Sequence, residues 1–221
     1  MSLLNKVIYL GCLSIFAINV HAGGDESMVS SSEASKNIFQ PYLYTELGLG
    51  YASTGYGNFY DSSSWEDTSN INGGLAYQGD VGFSFMPHLS VELGLGMLPK
   101  AEYNTYDNDK QTDVSASYKS WYGYFQGRVD ASLKGVVNIF AKAGVAYRSI
   151  DYSYNGNLDG AGLDDYYWGP IFGGGLLIPL KNEFYAMIEY THLTGSSDSN
   201  QGQDYPDSDL YLAKLGYRFM F

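Results

Sequence analysis

The chain has 221 residues and carries 24 Asp+Glu against 12 Lys+Arg, a formal charge of −12. A surface this acidic repels nucleic-acid phosphates, which argues against a nucleic-acid partner; it attracts divalent or polycationic species and keeps exposed loops soluble. With 22 Tyr, 27 Gly and 16% aromatic residues, the composition favours a β protein with aromatic belts over a helical one.

The N-terminus has the layout of a secretory signal. Met1 to Lys6 carries one positive charge, Val7 to Val20 is almost wholly apolar, and Val20-His21-Ala22 supplies small residues at the cleavage positions. An apolar run of about 14 residues is short for a membrane-spanning helix. Residues 1–22 are therefore expected to be a cleaved signal peptide. The one cysteine, Cys12, lies inside it. Leu10-Gly11-Cys12 looks like the end of a lipobox, but Tyr9 and the apolar run beyond the cysteine oppose lipidation. The mature chain then has no disulfide and no thiolate chemistry. It keeps 11 basic against 24 acidic side chains, or −13, once Lys6 is removed. Beyond the signal no apolar run reaches the length of a transmembrane helix. Residues 23–41, rich in Ser, Gly and acid, read as a flexible lead-in.

From Tyr42 onward the pattern is dyad alternation, and it recurs in eight segments: Tyr42–Ser53, Leu75–Phe85, Leu89–Leu98, Lys119–Ser132, Val137–Arg148, Trp168–Ile178, Phe184–Thr194 and Asp209–Phe221. One face of each is apolar. Leu47, Leu49 and Tyr51 lead the first, Val81 and Phe83 the second, Leu93 and Leu95 the third. Trp121 and Phe125 mark the fourth, Ile139 and Val145 the fifth, Ile188 and Tyr190 the seventh, Leu215 and Phe219 the eighth. The sixth is ambiguous, because Phe172 and Leu176 alternate with Ile171 and Leu177. Segments of this length suit tilted membrane-spanning strands, which need about 9 to 11 residues, better than soluble sandwiches.

The connections alternate in length. Met86-Pro87-His88, Leu133–Val136 and Pro179–Glu183 are short, whereas the other four links run to roughly 14 to 20 residues. Short turns on one rim and long loops on the other are the asymmetry of an outer-membrane barrel, with the long loops outside the cell. Ten strand charges fall opposite the apolar sets: Glu46, Asp80, Glu92, Arg128, Asp130, Lys142, Arg148, Glu189, Lys214 and Arg218. Five acids and five bases turned inward, behind a Tyr, Phe and Leu exterior, invert the soluble pattern as lipid requires. Lys119 departs from the rule near the outer rim, where the cost is small. The expected fold is all-β: an eight-stranded antiparallel up-and-down transmembrane β-barrel over residues 42–221, with short periplasmic turns and long extracellular loops.

The last segment ends Tyr217-Arg218-Phe219-Met220-Phe221, with aromatics at alternate positions. It resembles the C-terminal signature that outer-membrane proteins present to the barrel-assembly machinery. With the eight-segment layout, the chain resembles the small OmpA-type and OmpX-type barrels over Tyr42 to Phe221. The resemblance implies an interior salt-bridge network, with Glu46, Arg128, Glu189 and Lys214 as counterparts by strand position. It also implies that Tyr217, Phe219 and Phe221 form the assembly signal. Phe221 as the last residue implies that no periplasmic domain follows.

Four constellations bear on chemistry. The interior charges either fill the lumen as paired charges or line a narrow, low-conductance pore. His192 and Thr194 share one strand face, loosely similar to the His-x-Ser element of lipid A deacylase barrels, with Asp207 or Asp209 as a third member. Gly195 stands where that element expects Asn. Asp107, Asn108, Asp109 and Asp113, and separately Asp159, Asp164 and Asp165, are loop acids that offer oxygen ligands to Ca²⁺ but lack the spacing of an EF-hand. Finally, Tyr56, Tyr60, Tyr103, Tyr106, Tyr118, Tyr152 and Tyr154, interleaved with Ser, Asn and Gly, give the loops the residues of an adaptable contact surface. The glycine runs Gly173-Gly174-Gly175 and Gly48-Leu49-Gly50 lack the strand-to-helix context of a phosphate cradle and read as room for larger lumen neighbours. No cofactor or resident metal is expected. The expected function is a structural and surface-interaction barrel with outer-membrane lipid, lipopolysaccharide, the barrel-assembly machinery and a host or phage ligand at the loops as partners. The alternatives are a lipid A hydrolase and a narrow pore.

Overall fold

The computed structural model describes residues 39–56, 67–107, 112–133, 136–155, 163–197, 199–200 and 204–220. The expected signal peptide, most of the lead-in and Phe221 lie outside the described residues.

The strands are β1 (Tyr42–Ser53), β2 (Asp67–Ser69), β3 (Gly74–Met86), β4 (Leu89–Met97), β5 (Ala101–Asp107), β6 (Thr112–Leu133), β7 (Val137–Asn155), β8 (Leu163–Pro179), β9 (Phe184–Leu193) and β10 (Ser208–Met220). The hydrogen-bonded order β6-β4-β3-β1-β10-β9-β8-β7 closes through the β6–β7 pairing into an eight-stranded antiparallel barrel. β1 and β10, first and last in the chain, pair from Tyr42↔Met220 to Ser53↔Asp209 and close the barrel wall. β2 and β5 add a ribbon at the outer end.

The alternation in sequence sets the faces. Leu47 is 72% exposed, Leu95 and Ile188 65%, while Glu46 is 0% and Glu92 and Glu189 1%. Charged residues inside an apolar exterior are what lipid demands, since lipid can solvate neither charge nor backbone. In the ambiguous β8, Phe172 and Leu176 face out, and Ile171 and Leu177 are buried.

Three strands run longer than the sequence suggests. β6 starts at Thr112 rather than Lys119, β7 ends at Asn155 rather than Arg148, and β8 starts at Leu163 rather than Trp168. A strand of 22 residues such as β6 spans about 70 Å, far more than a tilted crossing requires. The extra strand residues stand beyond what a crossing requires, where no apolar face is needed. With β2 counted, the first, second and third expected loops are therefore partly sheet.

One short turn has a visible cause. Asn182 and Glu183 take φ of 56° and 64°, and Phe184 N–H donates to the Lys181 carbonyl at 3.3 Å. Two successive left-handed residues form the tight hairpin turn whose twist matches the flanking strands.

Candidate functional site: the lumen and the outer mouth

Seven of the eight barrel strands send an acidic or basic side chain to one level of the lumen. Glu46 Oε1 accepts from Arg128 Nη1 and from Tyr185 Oη, each at 2.8 Å. Glu92 Oε1 accepts from Tyr44 Oη at 2.8 Å and pairs with Arg128 at 3.3 Å. The other Glu92 oxygen takes Lys142 at 2.9 Å and Gln126 at 2.7 Å. Lys142 also lies 2.7 Å from Glu189, and Lys214 lies 2.7 Å from Asp80 and 2.9 Å from Glu189. Arg128 reaches back along its own strand to Asp130 at 2.8 Å. β8 contributes no charge here. Its Gly173 and Gly175 leave the space: a Cβ on Gly175 would stand 2.9 Å from the Phe140 ring and one on Gly173 3.2 Å from the Thr191 hydroxyl.

Eight of the ten expected charges thus meet, and two do not. Arg148 stands apart, bonded to hydroxyls, and Arg218 is half-buried over the Tyr42 and Tyr185 rings at 5.5 and 5.0 Å. The expected five-to-five balance does not hold within the cluster, where Glu46, Asp80, Glu92, Asp130 and Glu189 share Arg128, Lys142 and Lys214. Its hydrogen-bonding members Gln78, Gln126, Tyr44, Tyr124, Tyr185 and Thr191 were not singled out in the sequence. Tyr44 and Gln126 stand two residues from Glu46 and Arg128, on the same inward parity, and that was the available signal.

Packing fills what the network leaves. Tyr44 lies opposite Gly82, Tyr124 opposite Gly94, Tyr122 opposite Gly96 and Tyr185 opposite Gly216. In each pair a Cβ on the glycine would come within 2.2 Å of a ring carbon. Each ring therefore folds over its cross-strand partner. A layer of Ala52, Ala76, Leu98, Ala146, Ile171, Leu193, Leu210 and Leu212 with Tyr122 and Tyr124 closes the lumen above the network. Below it, the cavity between Tyr44, Arg128 and Arg218 measures about 10 Å³, barely room for one water.

Above the apolar layer sits Arg148, fully enclosed. Its Nε donates to Ser120 Oγ at 3.0 Å, Nη1 to Tyr167 Oη at 3.0 Å and the Pro206 carbonyl at 3.2 Å, and Nη2 to Tyr56 Oη at 2.7 Å. Tyr56 beside it stacks on Tyr118 with centroids 5.6 Å apart, Tyr118 packs tilted against Tyr152 at 4.8 Å, and Tyr167 stacks on Tyr205 at 5.8 Å. This corrects the loop-surface expectation for these tyrosines. Tyr56 and Tyr103 are buried, and Tyr118 and Tyr152 are half-buried in the same plug. The side chains of Tyr60, Tyr106 and Tyr154 lie outside the described residues.

The remaining constellations are used locally. His192 lies on the outer face, stacked on Phe172 at 4.6 Å, and its Nδ1 donates to Asp209 Oδ1 at 2.8 Å. Asp209 also accepts from Tyr190 Oη at 2.7 Å. Among the described residues no hydrogen bond joins His192 to Thr194, so the base and the hydroxyl are not brought together. Asp165 is buried and accepts from Tyr205 Oη at 3.0 Å, from the Tyr166 N–H at 2.7 Å and from the Ser199 hydroxyl. Those bonds occupy it as a structural anchor, while Asp164 is exposed. The side chains of Asp107, Asp109, Asp113 and Asp159 lie outside the described residues. Tyr217 packs edge-on against Phe219 at 4.9 Å and Phe184 at 4.8 Å.

The barrel is similar to solved outer-membrane barrels. A major outer membrane protein from Thermus thermophilus aligns with a TM-score of 0.53 at 15% identity, over 82% of this chain and 100% of that one. Neisserial surface protein A aligns with a TM-score of 0.51 at 12% identity, over 81% and 97%. OprG from Pseudomonas aeruginosa aligns with a TM-score of 0.50 at 10% identity, over 82% and 98%. At these identities the likeness concerns the fold. No curated protein is significantly similar in sequence. The family description "outer membrane protein beta-barrel domain" matches residues 27–219, almost the whole chain. The chain belongs to that family of outer-membrane β-barrels and resides in the outer membrane.

Proposed function

We propose that this protein is a structural and surface-interaction barrel that presents its acidic outer rim to the cell exterior. The observation that carries the reading is the occupied lumen: among the described residues, ion pairs, an apolar layer and the Arg148–tyrosine plug succeed one another along the axis and leave neither a path nor a substrate cleft. Function then falls to the outer rim, where Asp164, Asp204 and Asp207 are exposed. Their chemistry suits a cationic or divalent-bridged partner, such as a host or phage surface or lipopolysaccharide. The neighbour named as a surface protein is consistent with this role. Residues 1–22 direct export, residues 23–41 lead into the barrel, and the aromatic end of β10 with Phe221 is handed to the barrel-assembly machinery. No cofactor is required. Replacing residues 57–66 and 156–162 by short Gly-Ser linkers tests the reading. Loss of adhesion, serum survival or phage sensitivity with the barrel intact is expected; unchanged values in all three would overturn it.

A further inference from the structure

The lipid-facing wall is not uniformly covered. One outward row runs Leu47, Gly79, Leu95, Gly123, Tyr147, Trp168 across successive strands. The two glycines open a groove of about 820 Å³ floored by backbone and walled by leucine and aromatic side chains. The polar side chain beside it, Thr45, is satisfied by the Asp80 carbonyl at 3.0 Å. Packing does not demand these glycines. A Cβ on Gly79 or Gly123 would come no nearer than 3.4 or 3.2 Å to the end of a leucine, whereas the ring-covered inward glycines have no such room. Glycine weakens a strand and often marks a place where something else approaches.

The outer end of the groove is chemically distinct. Trp121, Tyr147 and Trp168 form a continuous aromatic cluster there, at 5.7 and 5.3 Å, of the kind that marks the membrane interface. Just beyond it, Met97 opposite Trp121 and Ala101 opposite Tyr118 bring Pro99-Lys100 against Lys119. Lys100 and Lys119 are exposed. The other described basic residues are elsewhere: Arg128, Lys142, Arg148, Lys214 and Arg218 in the lumen, and Lys181 in a short turn at the opposite rim. On a strongly acidic protein, the described cations that face out at the outer rim therefore stand together above this groove. Lys100 holds Glu102 at 2.7 Å, and Lys119 has Asp151 opposite it in register without an ion pair among the described residues.

We propose that this groove is a fixed site for a phosphorylated outer-leaflet lipid, lipid A of lipopolysaccharide, with one acyl chain along Gly79 and Gly123 and a phosphate on Lys100 and Lys119. The site rests on the reading that the outer rim faces lipopolysaccharide. Depth selects an acyl chain for the groove, and the lysines at the outer end select a phosphate in the outer leaflet. A second copy fits less well: a two-fold axis normal to the membrane would set the same lysines against each other.

The test is native mass spectrometry of the full protein extracted from outer membranes in mild detergent, comparing wild type, Gly123→Leu and Lys100→Ser/Lys119→Ser. Wild type is expected to retain one lipid A. Gly123→Leu fills the groove and the double variant removes the cations, and each should lower retention roughly tenfold or more. Lys119→Ser alone changes only an exposed side chain, so a partial loss there holds even if Gly123→Leu folds poorly. Equal retention in every folded variant overturns the site. So does equal retention of added phosphatidylglycerol, or a dimer in wild type that Gly123→Leu dissociates without change in lipid. The linker-replaced protein should keep its lipid A, so failure of the loop reading and failure of this site are separable.

Discussion

Arg148 Nη2 and Tyr56 Oη lie 2.7 Å apart across the outer mouth, and this bond ties the segment after β1 to the wall of β7. The same guanidinium reaches the Pro206 carbonyl ahead of β10, so one side chain holds two connections over the lumen. Bonds to a charged donor are worth about 1.5–3 kcal/mol each. Arg148→Ala should leave the barrel closed but release both connections. Limited proteolysis of intact cells should then cut near Tyr56 and Pro206 at least several times faster than in wild type.

The lumen network predicts a contrast between breaking and replacing. Arg128→Met strands Glu46, Glu92 and Asp130 beside a lost cation and should destabilise by about 3–5 kcal/mol. Replacing a contacting pair together, Lys214→Met with Asp80→Leu, should cost distinctly less than Lys214→Met alone. Guanidinium unfolding of the detergent-solubilised protein, followed by tryptophan fluorescence, measures both.

Glycines on opposite faces should respond differently. Alanine at Gly94 would place its Cβ 2.2 Å from the Tyr124 ring and should cost about 1–3 kcal/mol by overpacking. At outward Gly127 the nearest atom is 4.0 Å away, so alanine there should be neutral or slightly stabilising. The same unfolding assay distinguishes them.

The His192 environment predicts a negative result for hydrolysis. His192 is held by Asp209 rather than by Thr194. Thr194→Ala and His192→Ala should leave the lipid A mass profile of an expressing strain identical to that of wild type. Acyl loss that depends on either residue would restore the hydrolase reading.

Much of the barrel was legible because lipid imposes a rule on every second residue. Glu46 between Thr45 and Leu47 fixes the face of β1, and the bounds Tyr42–Ser53 follow. Outside the bilayer the rule lapses, so the polar start of β6 at Thr112 and the end of β7 at Asn155 gave no periodic signal. Which charges meet was less legible. Arg128 touches Glu46 across 82 positions because strand stagger decides who shares a level, and stagger is not written in alternation. Tyrosine compounded the difficulty. Tyr44 and Tyr185 serve the lumen and Tyr190 and Tyr211 the wall, and composition alone does not separate them. Gly79 and Gly123 were passed over for a similar reason: a small residue on an apolar face looks like weak alternation rather than a groove.

The central claim is that the lumen is filled and that the outer rim does the work. Purified, folded protein reconstituted in planar bilayers at neutral pH tests it most directly. The filled lumen predicts current indistinguishable from the bare bilayer, with Arg128→Ala and Arg148→Ala the variants in which openings first appear. Regular, stepwise openings by the wild-type protein would contradict it.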